Sequence, residues 1–146
     1  MYYFLDIDGV LNKESDWRKS FTLNPECVKN FKSLVEMDKN LHIILSSSWR
    51  RGVTNTGVQS SQPDILTEQL RSYGITIDGV TPVSNKTRQE EIEYYIRRNE
   101  VKDYIVLDDD ESLFPRPDEI RLYLTNYKTG LTAVDVKKIR RIKPQV

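Results

Sequence analysis

The chain has 146 residues, of which 38% are hydrophobic and 30% charged, so it can build one compact core and is too short for two ordinary domains. Its 22 basic and 22 acidic residues cancel, so no overall field attracts nucleic acid or a membrane surface. A single cysteine and a single histidine exclude an internal disulfide and a zinc cluster. No apolar run approaches the ~20 residues of a membrane span, and the N-terminus does not have the pattern of a signal peptide. We therefore expect one soluble, cytoplasmic domain over residues 1–146, with no membrane partner.

The chain opens on the stretch YYFLDIDGVLN, residues 2–12, where a buried strand ends at two aspartates. Residues 2–5 are continuously apolar, as in a strand covered on both faces. Asp6 and Asp8 follow, and Gly9 permits a sharp turn. Two carboxylates at this spacing are costly to hold together without a cation, which predicts a hard metal. The alternative is an Asx-type turn that closes the strand. A calcium loop is excluded, because Leu11 and Trp17 stand where it needs glycine and glutamate.

The next elements alternate between helix and strand. Residues 10–23 predict an irregular excursion, with a hairpin as the alternative. Asn24 and Pro25 then start a helix. Its inward stripe comprises Val28, Phe31, Leu34, Val35 and Asp38. Residues 41–45 predict a buried strand that ends at Ser46 and Ser47. Residues 52–63 predict a mobile loop, residues 64–73 a helix stopped by Gly74, and residues 75–80 a short strand.

The second half of the chain repeats this alternation. Thr87 and Glu90 predict a capping box at the start of a helix, directly after Lys86. Residues 104–107 predict a strand that delivers Asp108 and Asp109, and residues 120–124 predict a final strand. A last helix runs from its cap at Thr132 to residue 142, and its apolar members are Val134, Val136, Ile139 and Ile142. The alternation predicts an α/β fold, a Rossmann-like open and mostly parallel sheet with helices on both faces.

Four polar signals converge at the carboxyl edge of such a sheet. They are Asp6 and Asp8, Ser46 and Ser47, Lys86 or Arg88, and Asp108 and Asp109. Their order resembles the haloacid dehalogenase-like (HAD) superfamily of phosphotransferases, which carries a D-x-D strand end, a Ser or Thr strand end, a basic residue and a second acidic pair. The segments SSSWR, RQEEI, VLDDD and GLT resemble small capless members in nucleic-acid repair proteins, including the 3'-phosphatase part of polynucleotide kinases.

The resemblance implies a magnesium-dependent phosphatase. In such an enzyme Asp6 is the nucleophile that forms an aspartyl-phosphate, and Asp8 is the general acid and then the base. The metal ligands would be Asp6, the backbone carbonyl of Asp8 and an acid of the pair Asp108 and Asp109. Ser46 or Ser47 would bind the phosphoryl oxygens, and Lys86 or Arg88 would offset their charge. The alternative for either basic residue is a solvated surface charge.

The gaps between these motifs are too short for a cap domain, so the resemblance implies an open site. An open site suits a phosphate on a large partner, such as a nucleic-acid end or a protein side chain. Of these, the resemblance to repair proteins favours phosphomonoester hydrolysis at nucleic-acid 3'-phosphate ends. One alternative is a small-nucleotide phosphatase that uses residues 52–63 as a lid. Another is a non-catalytic, receiver-like module that binds metal or phosphate, although such a module needs no acid at Asp8.

Two further groups of residues are candidates for substrate contact. Trp49, Arg50 and Arg51 leave the sheet beside the predicted phosphate site and would stack a base and contact neighbouring phosphates. Trp49 as a packing residue is the alternative. The second group is a basic run near the C-terminus, with a solvated helix face as its alternative. It comprises Lys137, Lys138, Arg140, Arg141 and Lys143. The sequence does not predict an oligomeric state.

Overall fold

The computed structural model describes residues 1–19, 22–36, 38–47 and 65–142. The predictions made for Trp49, Arg50, Arg51, Lys143 and the loop 52–63 lie outside the described residues. In the part of the chain that the structure describes, none of the helices is both long and apolar enough to cross a membrane.

Five parallel strands form one sheet in the order β3-β2-β1-β4-β5. In chain order they are β1 (Tyr2–Leu5), β2 (His42–Leu45), β3 (Gly79–Val80), β4 (Tyr104–Asp108) and β5 (Leu122–Leu124). The first strand is central, because Leu5 aligns with Leu45 of β2 on one side and with Leu107 of β4 on the other. The open, parallel α/β sheet predicted from the sequence is confirmed, although β3 has only two of the six residues assigned to it.

Among the described residues, four helices cover both faces of this sheet, as predicted. They are α1 (Pro25–Val35), α2 (Ile65–Ser72), α3 (Arg88–Arg98) and α4 (Ala133–Ile142). Alternation along β1 divides the interior into two cores, since Tyr3 and Leu5 pack with α1, α2 and α4, whereas Phe4 packs with Ile92 of α3. A ligand site at the end of β1 therefore lies between two packed layers.

The segment after β1 is irregular, as predicted, and the described residues 10–19 and 22–23 contain turns and one 3-10 turn, Glu14–Asp16, rather than the alternative hairpin. Between β1 and β2, the described residues therefore consist of turns and α1, with no inserted cap domain.

The helix predicted over residues 132–142 is confirmed as α4, and its four apolar members differ in burial. Val136 and Ile139 are buried, but Val134 and Ile142 are 59% and 58% exposed. At about 100° per residue, Val134 points almost opposite to the mean direction of the two buried side chains, and Ile142 lies about 90° from it. Helical spacing identified an apolar helix but not which of its residues face the core.

The contribution of the N-cap of α1 to stability can be tested by substitution. Asn24 Oδ1 accepts the backbone N–H groups of Glu26 at 3.0 Å and Cys27 at 3.3 Å. Asn24→Ala removes this acceptor, so we expect the free energy of unfolding to fall by about 0.5–2 kcal/mol. Urea denaturation measures the change, and Asn85→Ala, at an exposed bend, is the control. An equal loss in both variants would contradict a specific capping role.

Candidate active site

Three carboxylates meet at the carboxyl edge of the sheet. Asp6, Asp108 and Asp109 each place an oxygen within 4.8 Å of the others. Phe4 and Val106 face the core beneath α3, and side chains alternate along a strand. Asp6 and Asp108, two residues further along their strands, therefore reach the same side of the sheet. The N–H of Asp6 also donates to Leu107 O at 3.0 Å, which ties the end of β1 to β4.

The guanidinium of Arg88 completes this cluster. Arg88 is the first residue of α3, whose start is fixed by Thr87 accepting the N–H of Glu90 at 3.1 Å. Its Nη1 lies 3.3 Å from Asp6 Oδ1 and 2.9 Å from Asp108 Oδ2. When all four groups are ionised, three carboxylates and one guanidinium leave two negative charges. A divalent cation would neutralise that excess.

Burial makes the ionised forms of Asp6 and Asp109 less favourable than in water when no cation is bound. Burial, and after it the charge of Asp108, raises the pKa of Asp6 well above its usual value, and Arg88 opposes this shift. Burial also raises the pKa of Asp109 to about 6, against the lowering effect of its hydrogen bond with Asp6. A cation among these oxygens would stabilise the ionised forms.

The three carboxylates of the cluster fit Mg²⁺, which binds hard oxygen ligands and takes few carboxylates.

The absence of a side chain at Gly9 leaves the space that the carboxylate of Asp109 occupies in the cluster. The φ of Gly9 is +85°, and a Cβ built on it would lie 2.2 Å from Asp109 Oδ2. Any side chain at position 9 would displace the third carboxylate.

The carboxylate of Asp8 accepts a hydrogen bond from Asn12 and is not among the three carboxylates that meet in the acidic cluster. Asn12 is buried, and its Nδ2 donates to Asp8 Oδ1 at 2.9 Å and to Thr22 O at 2.9 Å. Its Oδ1 accepts the N–H of Gly9 at 3.0 Å and Nε1 of Trp17 at 2.9 Å. Asn12 therefore orients Asp8 and closes the turn after β1. No role was predicted for Asn12 from the sequence, although it ends the DIDGVLN stretch.

Thr125 is a second residue that the sequence analysis missed. It follows β5 and is buried. Its hydroxyl donates to Gly9 O at 2.6 Å, and its N–H donates to Asp108 O at 2.9 Å. These bonds fix the turn that carries Asp8 against the end of β4. The one feature of the sequence that could have identified Thr125 is its position, as a hydroxyl residue directly after a predicted strand.

The remaining candidates are the two serines after β2 and Lys86, and they differ in burial and in their contacts. Ser46 and Ser47 are both buried after β2, and the N–H of Ser46 donates to Leu5 O at 3.0 Å, next to Asp6. Lys86 is exposed, and its backbone N–H donates to Ser84 Oγ at 3.1 Å. Of the two basic candidates, Arg88 is the one that contacts the acidic cluster.

An open parallel sheet that presents an acidic cluster, buried serines and a guanidinium at its carboxyl edge has the architecture of a HAD-like domain. Residues 2–136 match the family described as the HAD domain in Swiss Army Knife RNA repair proteins, and the chain belongs to this family. A comparison with curated proteins gives no significant match. The predicted superfamily is confirmed, as is the predicted resemblance to HAD domains of nucleic-acid repair proteins. Membership supports a phosphatase of the HAD type, and HAD domains generally use Mg²⁺.

Proposed function

We propose that this protein is a Mg²⁺-dependent phosphomonoester hydrolase that acts through an aspartyl-phosphate on Asp6, with nucleic-acid 3'-phosphate ends as substrates. The observation that carries the proposal is the position of Asp6, buried between two further carboxylates and a guanidinium at the end of the central strand. The RNA repair context of the family supports a nucleic-acid end as the substrate.

In the first step a carboxylate oxygen of Asp6 forms a bond to phosphorus, and the bond from phosphorus to the ester oxygen breaks. Arg88 offsets charge on the phosphoryl oxygens. Its contacts with Asp6 and Asp108 are both made through Nη1, one nitrogen of a group that offers five N–H donors. Alternation along β2 places Ser46 on the face of Ile44 and α3, so we infer Ser46 rather than Ser47 as the hydroxyl donor to phosphate.

Asp8 moves the protons in both steps. Its carboxyl group gives a proton to the leaving oxygen, and the resulting carboxylate then takes a proton from the water that attacks phosphorus. That attack breaks the bond between phosphorus and Asp6, releases inorganic phosphate and restores both aspartates. The hydrogen bond from Asn12 holds Asp8 in one orientation throughout.

The metal would be held by Asp6, the backbone carbonyl of Asp8 and Asp109. We infer Asp109 rather than Asp108, because Asp108 Oδ1 already accepts the N–H groups of Asp109 and Asp110 and its Oδ2 accepts from Arg88. Asp108 then serves mainly to position the guanidinium. When bound, Mg²⁺ supplies a Lewis acid that draws nucleophile and phosphate together and neutralises developing charge.

Removal of the metal is expected to abolish activity. A chelator should eliminate hydrolysis of an aryl phosphate, and added Mg²⁺ should restore it. Ca²⁺ should support it poorly, because its looser coordination allows a carboxylate to bind through both oxygens instead of attacking phosphorus. Release of the aryl alcohol is the measurement. Full activity in excess chelator would rule out the metal role.

The substrate class is tested with 3'-phosphorylated oligonucleotides, 3'-phosphorylated mononucleotides and phosphopeptides at equal concentration. We expect the highest kcat/KM for the oligonucleotide, because an open site admits a long strand. Equal values for oligonucleotide and mononucleotide would favour a small-nucleotide phosphatase. Binding of Mg²⁺ without turnover of any ester would favour a non-catalytic module.

A further inference from the structure

Two exposed aromatic rings lie stacked beside the candidate active site. Trp17 and Tyr127 are 42% and 40% exposed, and their ring centroids are 6.0 Å apart with an interplanar angle of 27°. They come from the loops that follow β1 and β5, both at the carboxyl edge of the sheet. The N–H of Glu14 donates to Tyr127 O at 2.8 Å, which ties the two loops together.

The charges around these rings are basic on balance, because Lys13, Arg18, Lys19 and Lys128 outnumber Glu14 and Asp16, which favours an anionic partner. Lys128 Nζ lies 5.9 Å from the centroid of Tyr127, and Arg18 and Lys19 are exposed next to Trp17 in the chain. Aromatic faces combined with nearby cations are the means by which proteins bind single-stranded nucleic acid, since bases stack on the rings and the cations contact the backbone.

A single side chain connects the stacked pair to the proposed general acid. Trp17 Nε1 donates to Asn12 Oδ1, and the same amide donates through Nδ2 to Asp8 Oδ1, each at 2.9 Å. The indole is thereby fixed at its polar edge while much of its surface remains exposed. The indole is thus two hydrogen bonds, through one asparagine side chain, from the carboxylate of Asp8.

We propose that Trp17 and Tyr127 form a stacking platform for a base of the single strand whose terminal phosphate enters the site, with Lys128 contacting its backbone. The inference rests on the proposed function and adds to it the surface that selects a strand over a small phosphate ester. The platform would bind a strand of any sequence and requires no base pairing, because every base has a face that can stack.

Binding and turnover test the platform separately. Fluorescence anisotropy of a labelled single-stranded oligonucleotide, in chelator, should show Kd raised about 5- to 150-fold by Trp17→Ala or Tyr127→Ala. Trp17→Phe keeps a stacking ring and loses the bond to Asn12, so it should retain most of the affinity. Tyr94→Ala is the matched control, because Tyr94 is 48% exposed but lies on α3. Lys128→Gln should reduce the slope of log Kd against log salt by about 0.7.

The outcomes distinguish this platform from the proposed chemistry. If the parent protein hydrolyses an aryl phosphate but binds no oligonucleotide, or if both alanine variants bind within twofold of the parent, the platform is overturned and the phosphatase stands. If the parent protein binds the strand through Trp17 and Tyr127 but hydrolyses no ester, the phosphatase fails and the platform stands. Preferential binding of a phosphopeptide would also overturn the platform.

Discussion

Asp6→Asn is expected to reduce kcat for an aryl phosphate by roughly 10⁴-fold or more, because it removes the nucleophile and keeps the size of the side chain. An amide is a poor nucleophile, and the neighbouring carboxylate of Asp108 already accepts hydrogen bonds from Arg88 and from the N–H groups of Asp109 and Asp110. Single-turnover kinetics, together with trapping of phosphate on the protein, measure the change. Beryllium fluoride, which mimics a phosphoryl group on aspartate, should bind the parent protein and not the variant.

The matched control for Asp6→Asn is Asp103→Asn. Asp103 is an exposed aspartate just before β4, at the opposite edge of the same sheet, so its substitution changes the net charge equally without entering the site. We expect parent-like turnover in this variant. Near-normal turnover in Asp6→Asn would show that the covalent mechanism is wrong, whatever the metal dependence.

Arg88→Met is expected to have the second largest effect, and it decides between the two basic candidates. Loss of the guanidinium should reduce kcat by about 10²- to 10³-fold, as for the loss of one preorganised donor. The side chain is only 16% exposed, and its removal leaves Asp6 and Asp108 without their cation. The free energy of unfolding without metal should therefore fall by about 3 kcal/mol, the lower end for a broken buried pair, because Asp6, whose pKa is raised, can take up a proton instead.

Lys86→Met removes the same charge two residues earlier, from an exposed side chain, and should have little effect on turnover or stability. Arg88→Lys should restore part of the stability but little of the rate, because an ammonium lacks the planar fork of donors. A larger kinetic loss in Lys86→Met than in Arg88→Met would reverse the assignment.

The elements that position the site could be predicted because their signals are local. Continuous apolar runs located β1, β2 and β4, and the polar residues at their ends followed directly. The parallel arrangement that brings Asp6 to Asp108 came from the alternation of strands with helices. The caps at Asn24 and Thr87 were also recognised from single residues.

The remaining features depend on the direction in which each side chain points, and the spacing of residues along the sequence does not give that direction. Lys86 and Arg88 differ by two residues at a helix start, and only the packed structure shows which one points at the carboxylates. Asp8 follows Asp6 by two residues, yet the turn at Gly9 directs its carboxylate to Asn12. Trp17 lay in a segment predicted only as irregular, and its partner Tyr127 is 110 residues further along the chain, so no local pattern could pair them.

The backbone of the active site belongs to the hydrogen-bond ladder of the sheet. The N–H groups of Asp6, Ser46 and Thr125 donate to Leu107, Leu5 and Asp108, each on a neighbouring strand. Opening the site would break the central ladder, so its amides should exchange with solvent as slowly as those of the hydrophobic core, through global rather than local unfolding. Substitutions in either core should accordingly lower the fraction of folded molecules while each folded molecule keeps its full catalytic rate.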